Sequence, residues 1–126
     1  MKGIAIPNQG ALSFDLIDLL DAVGDAVGST WIVRGVECVG PSAEAAEALH
    51  SASDKSEELS GERLVALARA LTQVIDGEFI GRRSTGSDPW IVIRAVDSAW
   101  FDVQTTDEAL LLKLRARFTE AFDLPD

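Results

Sequence analysis

A chain of 126 residues, 47% hydrophobic and 25% charged, has the length and composition of one soluble globular domain that can bury a core without staples. Its 21 acidic side chains against 11 basic ones, a net charge of -10, argue against nucleic acid and anionic membranes as partners, since both need a cationic surface, and permit a basic protein partner, a cation or simply good solubility. Cys38 is the one cysteine, so no intrachain disulfide forms; no apolar run approaches the roughly 20 residues that cross a bilayer, and Met1–Pro7 is too short for a signal segment. The expectation is a cytoplasmic chain folded over residues 1–126 as a single domain.

The charge is uneven: residues 1–59 hold ten acidic and three basic side chains, residues 60–126 eleven and eight. The first helix is expected from Ser13 as cap, with Leu12 stapling onto Ile17. Phe14, Leu16, Ile17, Leu19, Leu20, Val23 and Val27 supply its apolar face, and Gly28 its stop. Thr30 to Val39 is rich in β-branched residues and reads as a strand. Strict alternation there puts Trp31, Val33, Gly35, Glu37 and Val39 on one face, and Ile32, Arg34, Val36 and Cys38 on the other.

Alanine and glutamate in residues 43–49 favour a short helix by propensity, but its apolar face is thin. Residues 51–58 then read as an exposed loop. Ser60 caps a helix with Leu64, Leu67, Ala68, Leu71 and Val74 on its buried side. Asp76-Gly77 marks a turn, residues 78–83 a short strand and residues 84–89 a loop of turn formers. Two strands follow, residues 90–97 and 100–104, and then a helix opened by a Thr105/Glu108 capping box, with Leu110, Leu111, Leu114, Phe118 and Phe122 as its stripe.

The fold expected is α+β in the order α-β-α-β-β-β-α: a four-stranded, mainly antiparallel sheet with helices packed on one face. A three-residue turn over Asp97-Ser98-Ala99 sets Val96 against Trp100 and Arg94 against Asp102. Strands apolar on both sides, covered by helices on one, point to a homodimer that buries the second sheet face or an edge.

The chemistry-bearing inventory is small. Cys38 and His50 are the only soft ligands and the only plausible thiol pair, glycine-rich phosphate loops are missing, and no cofactor, metal site or catalytic residue is expected. Asp15, Asp18, Asp21 and Asp25 recur at helical spacing with no cation four residues on, which reads as a solvated outer face or, as a binding feature, a docking strip for a cationic partner. Arg82 and Arg83 open the Ser/Gly loop and can hold an anion with its amides. Arg94 lies mid-strand and needs a carboxylate, with Asp97 and Asp102 the nearest; Trp31, Trp90 and Trp100 all fall on strands, where an exposed one marks an interface. These features favour a non-enzymatic acidic interaction module, such as an inhibitor or immunity-like protein that blocks a basic partner. The alternative is a small-molecule binder or minor enzyme built on Arg82, Arg83, Arg94 and Asp102.

Overall fold

The computed structural model describes residues 1–8, 14–83 and 87–125. The elements run β1 (Lys2–Pro7), α1 (Leu16–Val23), β2 (Thr30–Val39), α2 (Ala43–Lys55), β3 (Glu58–Ser60), α3 (Gly61–Arg69), β4 (Gln73–Arg82), β5 (Ile91–Val96), β6 (Trp100–Thr105), α4 (Glu108–Arg117) and β7 (Phe122–Asp123). The α+β class stands. Among the described residues the sheet has seven strands rather than four, in the order β3-β2-β4-β5-β6-β1-β7, and each neighbouring pair is antiparallel. The expected meander is its centre, with β2 against one edge.

The three added strands are short or unobtrusive in sequence. In β1, Ile4 and Ile6 point into the core while the whole strand pairs with β6. The β3 and β7 strands have three and two residues, too few for any periodicity to show. Several boundaries move for identifiable reasons. Asp15, not Ser13, precedes α1, and Ser13 and Leu12 lie outside the described residues. The first helix stops at Gly24, whose φ of +81° suits glycine, so Gly28 is not the stop and Val27 is left exposed. Asp76-Gly77 lies within β4 and is not a turn. The fourth helix is capped by Asp107, which accepts from the Leu110 N–H at 3.1 Å; Thr105 instead donates to the Trp90 carbonyl at 2.7 Å. That helix ends before Phe122, which sits exposed in β7.

The region left open by sequence, residues 42–60, is mostly helix. Ser42 caps α2 by accepting from the Ala45 N–H at 3.1 Å, and α2 runs on through the expected loop to Lys55. Its buried residues, Ala45, Leu49 and Ala52, are mostly small, so α2 is held by close approach to β2 rather than by a large apolar face. The Ser53 hydroxyl fixes the approach by accepting from the Val36 N–H at 3.1 Å.

Irregular pairing between Arg34 and Cys38 shifts the phase of β2. Val36 and Cys38 therefore join Trp31 and Val33 on the buried side, which strict alternation does not give. Phe79, Ile91, Ile93, Phe101, Val103, Ile4 and Ile6 complete that side of the sheet and pack with the four helices into one core. The Trp31 indole N–H donates to the Ala26 carbonyl at 2.9 Å, so its polar atom is satisfied where the ring is fully buried.

One contact sets the start of α3. A Cβ on Gly61 would stand 2.0 Å from the Ala26 oxygen and 2.4 Å from the Val27 oxygen, so two backbones meet there with no room for a side chain. We predict that Gly61→Ala lowers stability by at least about 2 kcal/mol, since overpacking against backbone cannot relax. Gly28→Ala, whose new Cβ would come no nearer than 3.8 Å to the Asp25 oxygen, should stay within about 0.5 kcal/mol of the parent. Denaturant melts of the two variants measure the difference.

Candidate functional site

The four aspartates nominated from the first helix do not form one strip. Asp15 is buried at the N-cap, and both of its carboxylate oxygens accept from the Val74 N–H at 3.2 Å, which ties α1 to the start of β4. Asp18 accepts from the Asp15 N–H at 2.8 Å. Burial pushes the Asp15 carboxyl above its ordinary value, and its hydrogen bonds from Val74 and Leu16 pull it back. Asp21 pairs with Arg69 at 3.0 Å. Asp25 lies beyond the helix and pairs with Arg83 at 3.0 Å. The cations missing at i+4 come from distant parts of the chain.

Arg83 is committed to structure. Besides Asp25 it reaches Asp107 at 3.9 Å and lies 4.0 Å over the Trp90 ring. The Trp90 indole donates to the Ser29 hydroxyl at 3.0 Å, and Ser29 donates to the Asp25 carbonyl at 3.0 Å. This knot joins the end of β4 to the entries of β2, β5 and α4. Arg82 does not join it. Its side chain is half-buried, and its Nε lacks a partner among the described residues.

Arg94 and Asp102 stand on the other side of the sheet, which no described helix covers. The turn between β5 and β6 has the expected register, with Val96 opposite Trp100 and Arg94 opposite Asp102. Positive φ at Asp97 and Ser98 and a 2.9 Å bond from the Ala99 N–H to the Val96 carbonyl close it without glycine. The charges nevertheless pair differently from the expectation. Arg94 donates to Glu78 at 2.8 Å and to Gln104 at 2.7 Å, not to Asp102. Glu78 also lies 3.9 Å from Arg34. Across β2, β4, β5 and β6 the outward row thus reads Arg34, Glu78, Arg94, Asp102.

Asp102 is the odd member. One of its oxygens is buried without a partner among the described residues, and burial raises its carboxyl, while Trp100 and Arg94 oppose the rise. Beside this row runs a second outward row, Ile32, Ile80, Val92 and Gln104, all half-buried. Trp100, 40% exposed, and Phe122, 57% exposed, add aromatic surface at the β6 and β7 side. Sequence reasoning does not single out Glu78, Gln104 or Arg34 as site residues. The alternation Glu78, Ile80, Arg82 carries the signal, but the turn-like pair Asp76-Gly77 masks it.

Cys38 and His50 do come together, with Sγ 3.7 Å from Nε2. The thiol is buried, and burial with the nearby Asp15 carboxylate raises it above its ordinary value, which disfavours the nucleophilic thiolate. Among the described residues no group of three or more His, Cys, Asp or Glu is placed to hold a metal ion. A cleft of about 400 Å³ is lined by Ile6, Phe14, Asp18, Arg117 and Phe118. It contains none of Arg82, Arg83, Arg94 and Asp102. No helix among the described residues is long and apolar enough to cross a membrane. Comparison of the chain with family profiles, curated proteins and solved structures finds no match.

The row of charges can be tested by coupling and by pH. A double-mutant cycle should give Arg94 and Glu78 a coupling of about 0.5 to 1 kcal/mol, as for partly exposed pairs. The cycle for Arg94 with Asp102 should give clearly less, and denaturant melts of the single and double variants measure both. As for pH, folding raises the Asp102 carboxyl, so its stabilising contribution is fully present below the ordinary 3.8 and is lost as pH rises through the raised value. Asp102→Asn should therefore gain melting temperature over the parent at neutral pH. That gain should shrink as the pH falls toward the ordinary carboxylate range, in scans on dilute protein.

Proposed function

We propose that the chain is a non-enzymatic interaction module whose uncovered sheet face is its contact surface. As an acidic module it would hold a basic protein where the partner is heterologous, in the manner of an inhibitor or immunity-like protein. The observation that carries this reading is the composition of that face. A row of half-buried Ile32, Ile80 and Val92 runs beside a row of charges, with Trp100 and Phe122 toward one side and no described helix above them. Aliphatic residues beside arginine and exposed aromatics are the surface that interfaces use.

The charged groups on this face support contact rather than chemistry. Arg94, Glu78 and Gln104 satisfy one another on an open plate, outside the aromatic cleft, so they do not converge on a ligand-sized volume. The overall charge supports a cationic heterologous partner. Glu44, Glu47, Asp54, Glu57, Glu58 and Glu62, on and beside α2 and α3, form no ion pair among the described residues, whereas Asp21 and Asp25 are neutralised inside the chain. A partner attracted by this excess associates faster and more tightly at low salt.

The test is affinity capture from the native cell with the tagged parent chain, Val92→Asp on the open face, and Leu112→Asp on the helical side, where Leu112 is 70% exposed. The parent and Leu112→Asp should retain a stoichiometric protein, a second copy included, and Val92→Asp should lose it. Equal retention by all three, or none above a tag-only control, overturns the reading.

A further inference from the structure

We infer that the occupant of the uncovered sheet face is a second copy of this chain, seated face to face about a two-fold axis parallel to the strands between β4 and β5. The inference rests on the reading of that face as a contact surface and names its occupant.

Arg34, Glu78, Arg94 and Asp102 are direct cross-strand neighbours, so they form a row at right angles to the strands. Its signs run plus, minus, plus, minus, which makes the row antisymmetric about its midpoint between β4 and β5. A two-fold axis along the strands at that midpoint reverses the row and lays it on itself. Arg34 then faces Asp102 of the second copy, and Glu78 faces Arg94 of the second copy. An axis along the row would put every charge on its like, which drives the copies apart. The face is therefore self-complementary in one orientation and self-repelling in the other, which is what an isologous contact requires.

The axis does the same for the apolar row. Because it is parallel to the strands, each row falls on its own counterpart, and Ile80 meets Val92 of the second copy. Two sheets stacked this way, about 10 Å apart and within roughly 30° of parallel, make an ordinary aligned sandwich. Seven strands at about 4.8 Å spacing give a plate roughly 29 Å across, enough for a contact of standard size.

The ion pairs within one chain leave unspent charge at the two ends of the row that this axis joins. Arg34 is 62% exposed and reaches Glu78 only at 3.9 Å. Asp102 has no ion pair of its own among the described residues. The centre is already satisfied, with Arg94 on Glu78 at 2.8 Å. The row also sums to zero on a chain of net charge -10, so two copies can meet here without local repulsion.

The salt response separates a second copy from a basic partner. Two chains of charge -10 repel at long range, so added salt should leave the self-association unchanged or tighten it. A complex with a cationic protein should loosen. Sedimentation velocity of the purified full chain across micromolar concentrations should show a species of twice the 13.5 kDa chain mass that persists at high salt. Arg34→Glu and Asp102→Arg should each weaken self-association at least tenfold, as juxtaposed like charges do, by about 1.4 kcal/mol or more. Mixed in equal amounts the two variants should form a heterodimer. The glutamate introduced in one then faces the arginine introduced in the other, while the unchanged Asp102 of the first faces the unchanged Arg34 of the second. Circular dichroism melts check that each variant folds. Should Asp102→Arg fail that check, Arg34→Glu and Val92→Asp decide alone, and both should be monomeric.

A parent chain monomeric under all these conditions, or a dimer untouched by Arg34→Glu and Val92→Asp, overturns the inference. If the monomeric parent still captures a different protein that Val92→Asp loses, the face remains a contact surface and only the second copy is excluded. If neither self-association nor capture responds to the face variants, both readings fail.

Discussion

The β2–β4 ladder decides which side of this molecule is inside. Both strands have ten residues, and both are irregular where Arg34 to Cys38 meets Val74 to Glu78. Without the irregularity, strict alternation would send Val36 and Cys38 outward and Glu37 inward, stranding a carboxylate in the core and two apolar side chains in water. Shifting the phase keeps Trp31, Val33, Val36 and Cys38 on one side along the whole strand. The helices can then cover that side completely, and the opposite side is left to Ile32, Arg34 and their cross-strand neighbours. The core and the open face are two consequences of one shift in register.

The acidic side chains are used in two ways, which the net charge alone does not distinguish. Some are spent internally. Asp15 gives up hydration to receive the Val74 N–H, and the raised carboxyl records that cost. Asp25 and Asp107 bind Arg83 where it lies on Trp90, at the meeting point of four elements. Others, on α2, β3 and α3, stay in water and give the chain its excess charge. Exposed pairs such as Asp21 with Arg69 contribute at most about 1 kcal/mol each, so the fold rests on apolar burial and the charges mainly set what can approach.

What the sequence made legible follows from where its signals are local. Ser60 as a cap, the strand at residues 30–39 and the Val96–Trp100 register all rest on neighbouring residues or a short turn, and the structure has them. The short strands were not legible, because three residues of β3 and two of β7 carry no period. The helix at residues 43–55 was only half legible, since small residues holding it close to β2 look like a thin apolar face. In the candidate site, Arg94 was recognisable as a mid-strand charge in need of a partner. Its true partner, Glu78, comes from the strand on its other side, and that choice depends on side-chain reach across the sheet, which no spacing encodes.

The edges of the sheet bear on where another molecule can attach. An exposed edge strand offers unpaired backbone groups, and a sheet of this kind would extend itself edge to edge if the edges were long and flat. Here both ends are short: β3 has three residues, with exposed Glu58 and Ser60, and β7 has two. The C-terminal side is fastened by the Leu124 N–H to the Gly3 carbonyl at 3.0 Å and by an Arg115–Asp123 ion pair, and Pro125 beyond them has no N–H to offer an incoming strand. The two end strands give an incoming strand little to pair with; beyond β3, residues 33–39 of β2 pair with β4 alone, and the Ser53 hydroxyl of α2 takes the Val36 N–H there. The broad surface that no described helix covers is the face, where the backbone is already paired and only side chains are on offer. Association there must work by apolar contact and charge matching rather than by strand addition. That is the kind of contact to which the order of signs along Arg34, Glu78, Arg94 and Asp102 can give direction.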